Sequence, residues 1–304
     1  MGRGGERIVR WIGALAAALA APMALHAQSP ERLPPTLFHD PITGEAAYTH
    51  DDNANRGRDS ETRLGDDVLS LTFSQPREWH LGRHVRLEAT GSLAGDKFRR
   101  YSGLDRISAG AKAQLQYRAS GDFDATTWSL VASAAYDEFD SHLRSGARYF
   151  LGVSAQHAFT DRIELFAQAG RAEQAGHSDV FNGRDDRALL TLVYTLGMKD
   201  VAYLTGEYRR GDTVSTGGPS LVNADLAEVL VPDDAFGQAL ISYRFRARTV
   251  LSTIGWNHAL GPRDSFDVSW RRIASEPLAR PGIDFPGALR YIANQYAIVY
   301  LRRF

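Results

Sequence analysis

From residue 105 to residue 118, apolar and polar side chains alternate almost without a break. Ile107, Ala109, Ala111, Ala113, Leu115 and Tyr117 occupy one set of positions; Arg106, Ser108, Lys112, Gln114, Gln116 and Arg118 occupy the other. A period of two places each set on its own face of an extended strand, whereas a helix would mix them. The run is too long for a sandwich strand, which averages about 5–6 residues. It suits a tilted strand of about 9–11 residues that crosses a bilayer. One face then meets hydrocarbon and the other an enclosed interior.

The pattern recurs along the chain. Val85, Leu87, Ala89 and Leu93 oppose Arg86 and Glu88, and Trp128, Leu130, Ala132 and Tyr136 oppose Ser129 and Asp137. Tyr149, Leu151 and Val153 oppose Arg148 and Ser154, and Ile163, Leu165 and Ala167 oppose Glu164. Further on, Leu190, Leu192 and Tyr194 oppose Arg187, and Phe266, Val268 and Trp270 oppose Asp267 and Arg271. Short turns are expected at 75–78, 120–123, 159–162, 197–200 and 261–264. Longer polar loops are expected at 52–65, 95–104, 173–184, 212–235 and 276–290. Short periplasmic turns alternating with longer external loops typify outer-membrane barrels. Both termini on one side require an even number of strands. The spacing predicts an all-β, antiparallel up-and-down transmembrane barrel of about twelve strands, with 236–245 extending the strand that reaches residue 260. Ten or fourteen strands also fit.

Ahead of this region, the only long apolar run is 11–25, behind Arg3, Arg7 and Arg10 and ending at Ala27. It reads as a secretory signal peptide over 1–27. Residues 28–44 carry Pro30, Pro34, Pro35 and Pro41, a density that resists helix and ladder alike, and read as a periplasmic arm. The barrel is expected over 45–304. With no cysteine in 304 residues, disulfides, thiolate metal sites and lipid attachment are excluded. A formal net charge of −1 argues against a nucleic-acid partner.

The final segment, 291–304, places Ile292, Tyr296, Ile298, Tyr300 and Phe304 on one strand face. It resembles the C-terminal β-signal that barrel-assembly machinery reads on outer-membrane proteins, with Tyr296, Ile298, Tyr300 and Phe304 in the signal positions. The opening Tyr48-Thr-His-Asp-Asp-Asn53 is similar to the first strand of Gram-negative porin-type barrels found with exopolysaccharide export. That resemblance implies an outer-membrane location and a passive small-solute channel or an accessory role in polysaccharide export. It also implies membrane lipid and lipopolysaccharide as surroundings, and it carries over no catalytic or ligand residue. Surface-lipoprotein translocators open similarly, but they carry a helical-repeat domain where only 28–44 stand here.

The polar face supplies the candidate channel-lining residues: Arg86, Glu88, Arg106, Lys112, Arg118, Asp137, Arg148, Glu164, Arg187, Asp267 and Arg271. They read equally as a charged aqueous pore or as an interior ion-pair network that fills the barrel and conducts nothing. A non-conducting structural or surface-interaction barrel, with partners bound by loops 212–235 and 276–290, is therefore the alternative to a channel, and an outer-membrane hydrolase is a third, less favoured reading. Enzyme signatures are sparse. The chain has no Gly-x-Ser-x-Gly elbow, and His142 and His177 fall in expected loops. Four acidic pairs (51–52, 66–67, 185–186 and 233–234) could activate water or hold calcium, yet read better as solvated loop charge that divalent ions bridge to lipopolysaccharide. His80 and His84, if on one strand, stand roughly 13 Å apart, too far for a shared metal. No cofactor, metal site or catalytic residue is expected.

Overall fold

The computed structural model describes residues 42–58, 62–237, 239–279, 282 and 289–304. The expected signal segment and most of the arm lie outside the described residues. Strand β1 (Thr43–Asp51) begins two residues earlier than expected. It is followed by β2 (Asp66–His80), β3 (Val85–Phe98), β4 (Arg106–Arg118), β5 (Thr127–Phe139), β6 (Gly146–Ala158), β7 (Ile163–Gly176) and β8 (Gly183–Thr195). Then come β9 (Asp200–Gly217), the short helix α1 (Leu221–Leu226), β10 (Val229–Pro232), β11 (Ile241–Ala259), β12 (Asp264–Pro277) and β13 (Tyr291–Arg303).

Every pairing between neighbours is antiparallel. β9 pairs with β11, and β13 pairs with β1 from Thr43↔Arg303 to Asp51↔Gln295. The sheet therefore closes into a twelve-stranded barrel, with β10 as a small flap on the outer end of β11. Thr43 pairs with Ser74, Ser74 with Ser92, Ser92 with Gly110, Gly110 with Ala135, Ala135 with Arg148, Arg148 with Gln174 and Gln174 with Gly183. That row starts at the base of β1 and reaches the outermost residue of β8. The strands must therefore lean, as closure of a barrel requires.

Alternation decides the two faces. Leu69, Leu71, Leu93, Ile107, Leu130, Leu151, Leu190 and Ile254 are all exposed on the outside, Ile107 at 72%. Two rims of exposed rings border this apolar band. Tyr48, Tyr136, Tyr149 and Tyr208 stand toward the outer ends; Trp79, Tyr117, Trp128, Tyr194, Trp256 and Tyr300 stand toward the turns. Amphipathic rings favour the lipid–water boundary. The outside is built for a membrane.

Inside, the simple rule holds for most of the wall and fails on the last strands. Tyr243, Phe245, Ala247, Leu251, Ile273, Tyr291 and Ala293 point inward and form an apolar cluster. Ala227, just beyond α1, packs on it. These side chains are apolar because a folded loop, rather than water, covers them.

Several expected boundaries need correction: β3 runs to Phe98, β7 to Gly176 and β9 to Gly217, and the expected loop 212–235 holds α1 and β10. Residues 75–78 are strand, and the turn lies at 81–84. β1 stops pairing at Ser74, so Pro76 borders an open edge, where a proline is tolerated. His84 thus sits in the turn, while His80 ends β2. Residues 241–245 do extend β11 outward, but the described residues 236, 237, 239 and 240 are not strand.

Glycine matters where rings need room. A Cβ on Gly255 would stand 2.2 Å from the Tyr203 ring, and one on Gly152 or Gly170 would stand 2.7 Å from the Phe150 ring. Gly255→Val should drive Tyr203 off the wall and cost about 1–3 kcal/mol as overpacking. Urea titration of the refolded barrel in detergent checks this; unchanged stability would contradict the packing.

Candidate functional site

All eleven expected lining residues fall on the inward face, and Tyr296, Ile298, Tyr300 and Phe304 fall on the outward face. The inward charges form two groups. Near the turns, Arg86 bonds Glu78 at 3.1 Å and donates to Gln116, which donates to Glu88 at 3.1 Å. Lys112 lies within electrostatic reach of Glu88. Gln156 donates to Glu164, Arg118 to the backbone carbonyl of Asp122, and the Tyr203 hydroxyl to Asp267 at 3.0 Å.

Higher in the lumen, the charges connect into a girdle. Arg106 bridges Asp96 (2.8 Å) and Asp137 (3.4 Å), and Arg148 chelates Asp137, reaching at 2.8 Å the same oxygen that Arg106 contacts. Arg187 chelates Asp185 (2.8 Å), and Arg209 chelates Glu207 (2.6 Å). Each of these two pairs sits two residues apart on one strand, where period two puts both side chains on the same face. Arg271 donates to Thr253 at 3.1 Å and lies in the field of Glu207, Arg209 and Arg56. Arg56 then chelates Asp51 at 2.8 Å, and Gln295 donates to the same carboxylate at 2.7 Å. The series runs from β3 through β4, β5, β6, β8, β9 and β12 to β1.

The sequence reading found Arg106, Asp137, Arg148, Arg187 and Arg271 of this girdle. It missed Asp51, Arg56, Asp96, Asp185, Glu207 and Arg209. Spacing alone could have found the two intrastrand pairs. Nothing local marks Arg56, which lies in the β1–β2 loop and enters the lumen with a positive φ of 57°.

That loop folds inward across the barrel. Asn53 ties it to the Gly57 carbonyl and to the Ile292 carbonyl of β13. Asn55 and Thr216 exchange bonds of 2.8 and 2.9 Å, and the Ser215 hydroxyl donates to the Arg56 carbonyl. So the Asp-Asp-Asn opening spans the lumen from β1 to β9. A second segment covers the outer mouth from the other direction. Ala235 and Phe236 pack on Val68, Phe98, Tyr101 and Leu104 across the barrel. Arg144, buried between the Phe181 and Phe236 rings, pairs with Asp233 and with Asp234 (3.0 Å).

Three of the acidic pairs expected to be solvated (51–52, 66–67 and 185–186) are split by this architecture, while Asp233 and Asp234 both bond Arg144. Asp51, Asp66 and Asp233 are buried and bonded, Asp66 accepting the Arg100 and Tyr101 amides. Asp67 and Asp186 point outward, because neighbours on a strand face opposite sides. His142 and His177 stack with ring centres 4.6 Å apart.

Burial pushes the Asp233 carboxyl up. Arg144, the Ser242 hydroxyl and the Phe236 amide outweigh that and hold it below the usual carboxylate value. A lowered folded pKa adds stability above the unfolded value of about 4 and loses it as pH falls through the folded one. Protease protection of 218–240 should therefore stay flat from about pH 8 to about pH 5 and fail only below about pH 4. Loss near neutrality would contradict the pairing.

No known protein family and no curated protein matches the sequence. Among solved structures, the COG4313 outer-membrane channel from Pseudomonas putida F1 overlays with a TM-score of 0.55 at 15% identity, covering 88% of this chain and 97% of that one. The NanC porin overlays with a TM-score of 0.48 at 10% identity, over 86% of this chain and 100% of that one. The fold is that of a transmembrane β-barrel of the outer-membrane type, closed by twelve antiparallel strands.

Proposed function

We propose that the barrel is a passive channel for small solutes, with a preference for anions. The observation that carries this is the girdle: six guanidiniums (Arg56, Arg106, Arg148, Arg187, Arg209, Arg271) face five carboxylates (Asp51, Asp96, Asp137, Asp185, Glu207). Arg187, Asp185, Glu207 and Arg209 keep part of their surface open to the lumen. Across from them, Ser92, Ala94, Gly110, Ser133 and Ala135 are small and also partly exposed. Small side chains opposite these ion pairs would leave space for water between the two walls, and Arg271, which chelates no carboxylate, would bias what passes toward anions.

The experiment is planar-bilayer recording of the refolded chain. Unit conductance steps with a reversal potential favouring anions support the channel. Silence supports a second reading, a non-conducting surface barrel, favoured by the loop segments bonded across the outer mouth. No particular described residue supports polymer export, so small solutes come first. We assign the outward row Tyr296, Ile298, Tyr300 and Phe304 to recognition by the assembly machinery, because β13 is the strand that zips to β1.

A further inference from the structure

The outer face of β8, β9 and β11 carries a cluster of arginines toward the outer end of the wall. Arg210 stands directly opposite Arg248 in the register of β9 and β11, and Arg246 shares that face two residues along. Arg184 stands diagonally across on β8, and Asp212, opposite Arg246, accepts the Arg184 amide at 3.0 Å. Like charges directly opposite each other destabilise a sheet pair. Here Arg248 bonds Glu276 at 2.7 Å, and Asp186, which faces Arg210, is bonded to Arg171 at 2.8 Å. Among the described residues, Arg184, Arg210 and Arg246 make no ion pair, although Arg184 and Arg210 lie in the field of Asp186.

Height identifies the environment. Ten residues separate Asp200, beside the lower rim, from Arg210. At about 3.4 Å per residue and a tilt of about 45°, that is a rise of about 24 Å, close to the roughly 25 Å apolar band of such barrels. Directly below the cluster, the register sets Ala188, Tyr208, Val250 and Ala274 in one apolar row. Tyr208 belongs to the outer ring of aromatic side chains. The cations therefore stand where lipid headgroups begin, with an acyl-compatible surface beneath them. On the opposite wall, the outward cations Lys97 and Arg99 are each paired, with Asp105 and Asp67.

We propose that this face binds the phosphorylated headgroup of an outer-leaflet glycolipid of the lipid A type, with Arg210 and Arg248 sharing one phosphate and Arg184 and Arg246 flanking it. Phosphate resolves the arginine–arginine opposition, because guanidinium forks match its oxygens. The acyl chains then lie over Ala188, Tyr208 and Val250. The site is independent of whether the lumen conducts.

The test is titration of the detergent-refolded chain with diphosphoryl lipid A, read as adducts in native mass spectra. Arg210→Gln with Arg248→Gln should weaken binding by roughly thirtyfold, given about a fivefold contribution per surface cation. Arg99→Gln, on the opposite wall, should leave it unchanged. Uncharged monogalactosyl diacylglycerol should bind far more weakly, and excess inorganic phosphate should not displace the lipid. Equal binding by the double variant, equal binding of the uncharged lipid, or displacement by inorganic phosphate would each overturn the assignment. Heat-resistant gel mobility confirms that the variants are folded barrels.

Discussion

Arg271→Glu should abolish the anion preference of the reconstituted barrel. Among the girdle arginines, Arg271 pairs with a hydroxyl rather than chelating a carboxylate, so its charge is the least cancelled. Reversal changes the girdle from six cations against five anions to five against six. An ion on the axis about 8 Å away feels each unit charge by about 0.5 kcal/mol even at the dielectric constant of water. Two units therefore amount to about 1 kcal/mol against an anion and about 1 kcal/mol in favour of a cation, roughly a thirtyfold change in the anion-to-cation permeability ratio, and more where the low-dielectric wall focuses the field. Reversal potential in a salt gradient measures it. Raising the salt should shrink the effect, since screening shortens to about 3 Å at 1 M.

Arg144→Ala should free the outer cap. Arg144 is 7% exposed, its partner Asp233 is fully buried, and it also fills the space between two aromatic rings. Removing one member of a buried pair leaves the other charge uncompensated, at a cost of about 3–5 kcal/mol. The wall itself does not contain this pair, so the loss should fall on the segment 218–240 and spare the barrel. We expect faster proteolysis within that segment, unchanged gel mobility of the barrel and a larger or less interrupted conductance. Arg144→Ala combined with Asp233→Asn should recover part of the closure, because no lone charge then remains.

Much of the wall was legible because a membrane barrel writes its two environments directly into alternate residues. Ile107 and Arg106 could be assigned to opposite faces from their neighbours alone. Legibility ended where a side chain answers to distant chain. Tyr243, Phe245 and Ile273 look like lipid-facing residues until α1 and its flanking loop are seen to cover them. Pro76 resembled a turn because the early end of β1, which makes it harmless, is a matter of register. Arg56 and Asp51 meet because Asn53 and Asn55 spend their amides fastening a loop to β13 and β9. No local pattern announces such a crossing. The acidic pairs 66–67 and 185–186 misled for a related reason: adjacency in sequence means opposite faces on a strand.

The central claim is that water fills the charged interior while lipid covers the apolar exterior. Because the chain has no cysteine, single replacements report on this cleanly. Arg187→Cys should react with a charged, membrane-impermeant thiol reagent and cut the bilayer current in discrete steps. Leu190→Cys, on the outer face of the same strand, should ignore that reagent and react only with a lipid-soluble one. Labelling of Leu190→Cys by the impermeant reagent, with Arg187→Cys left untouched, would contradict the account.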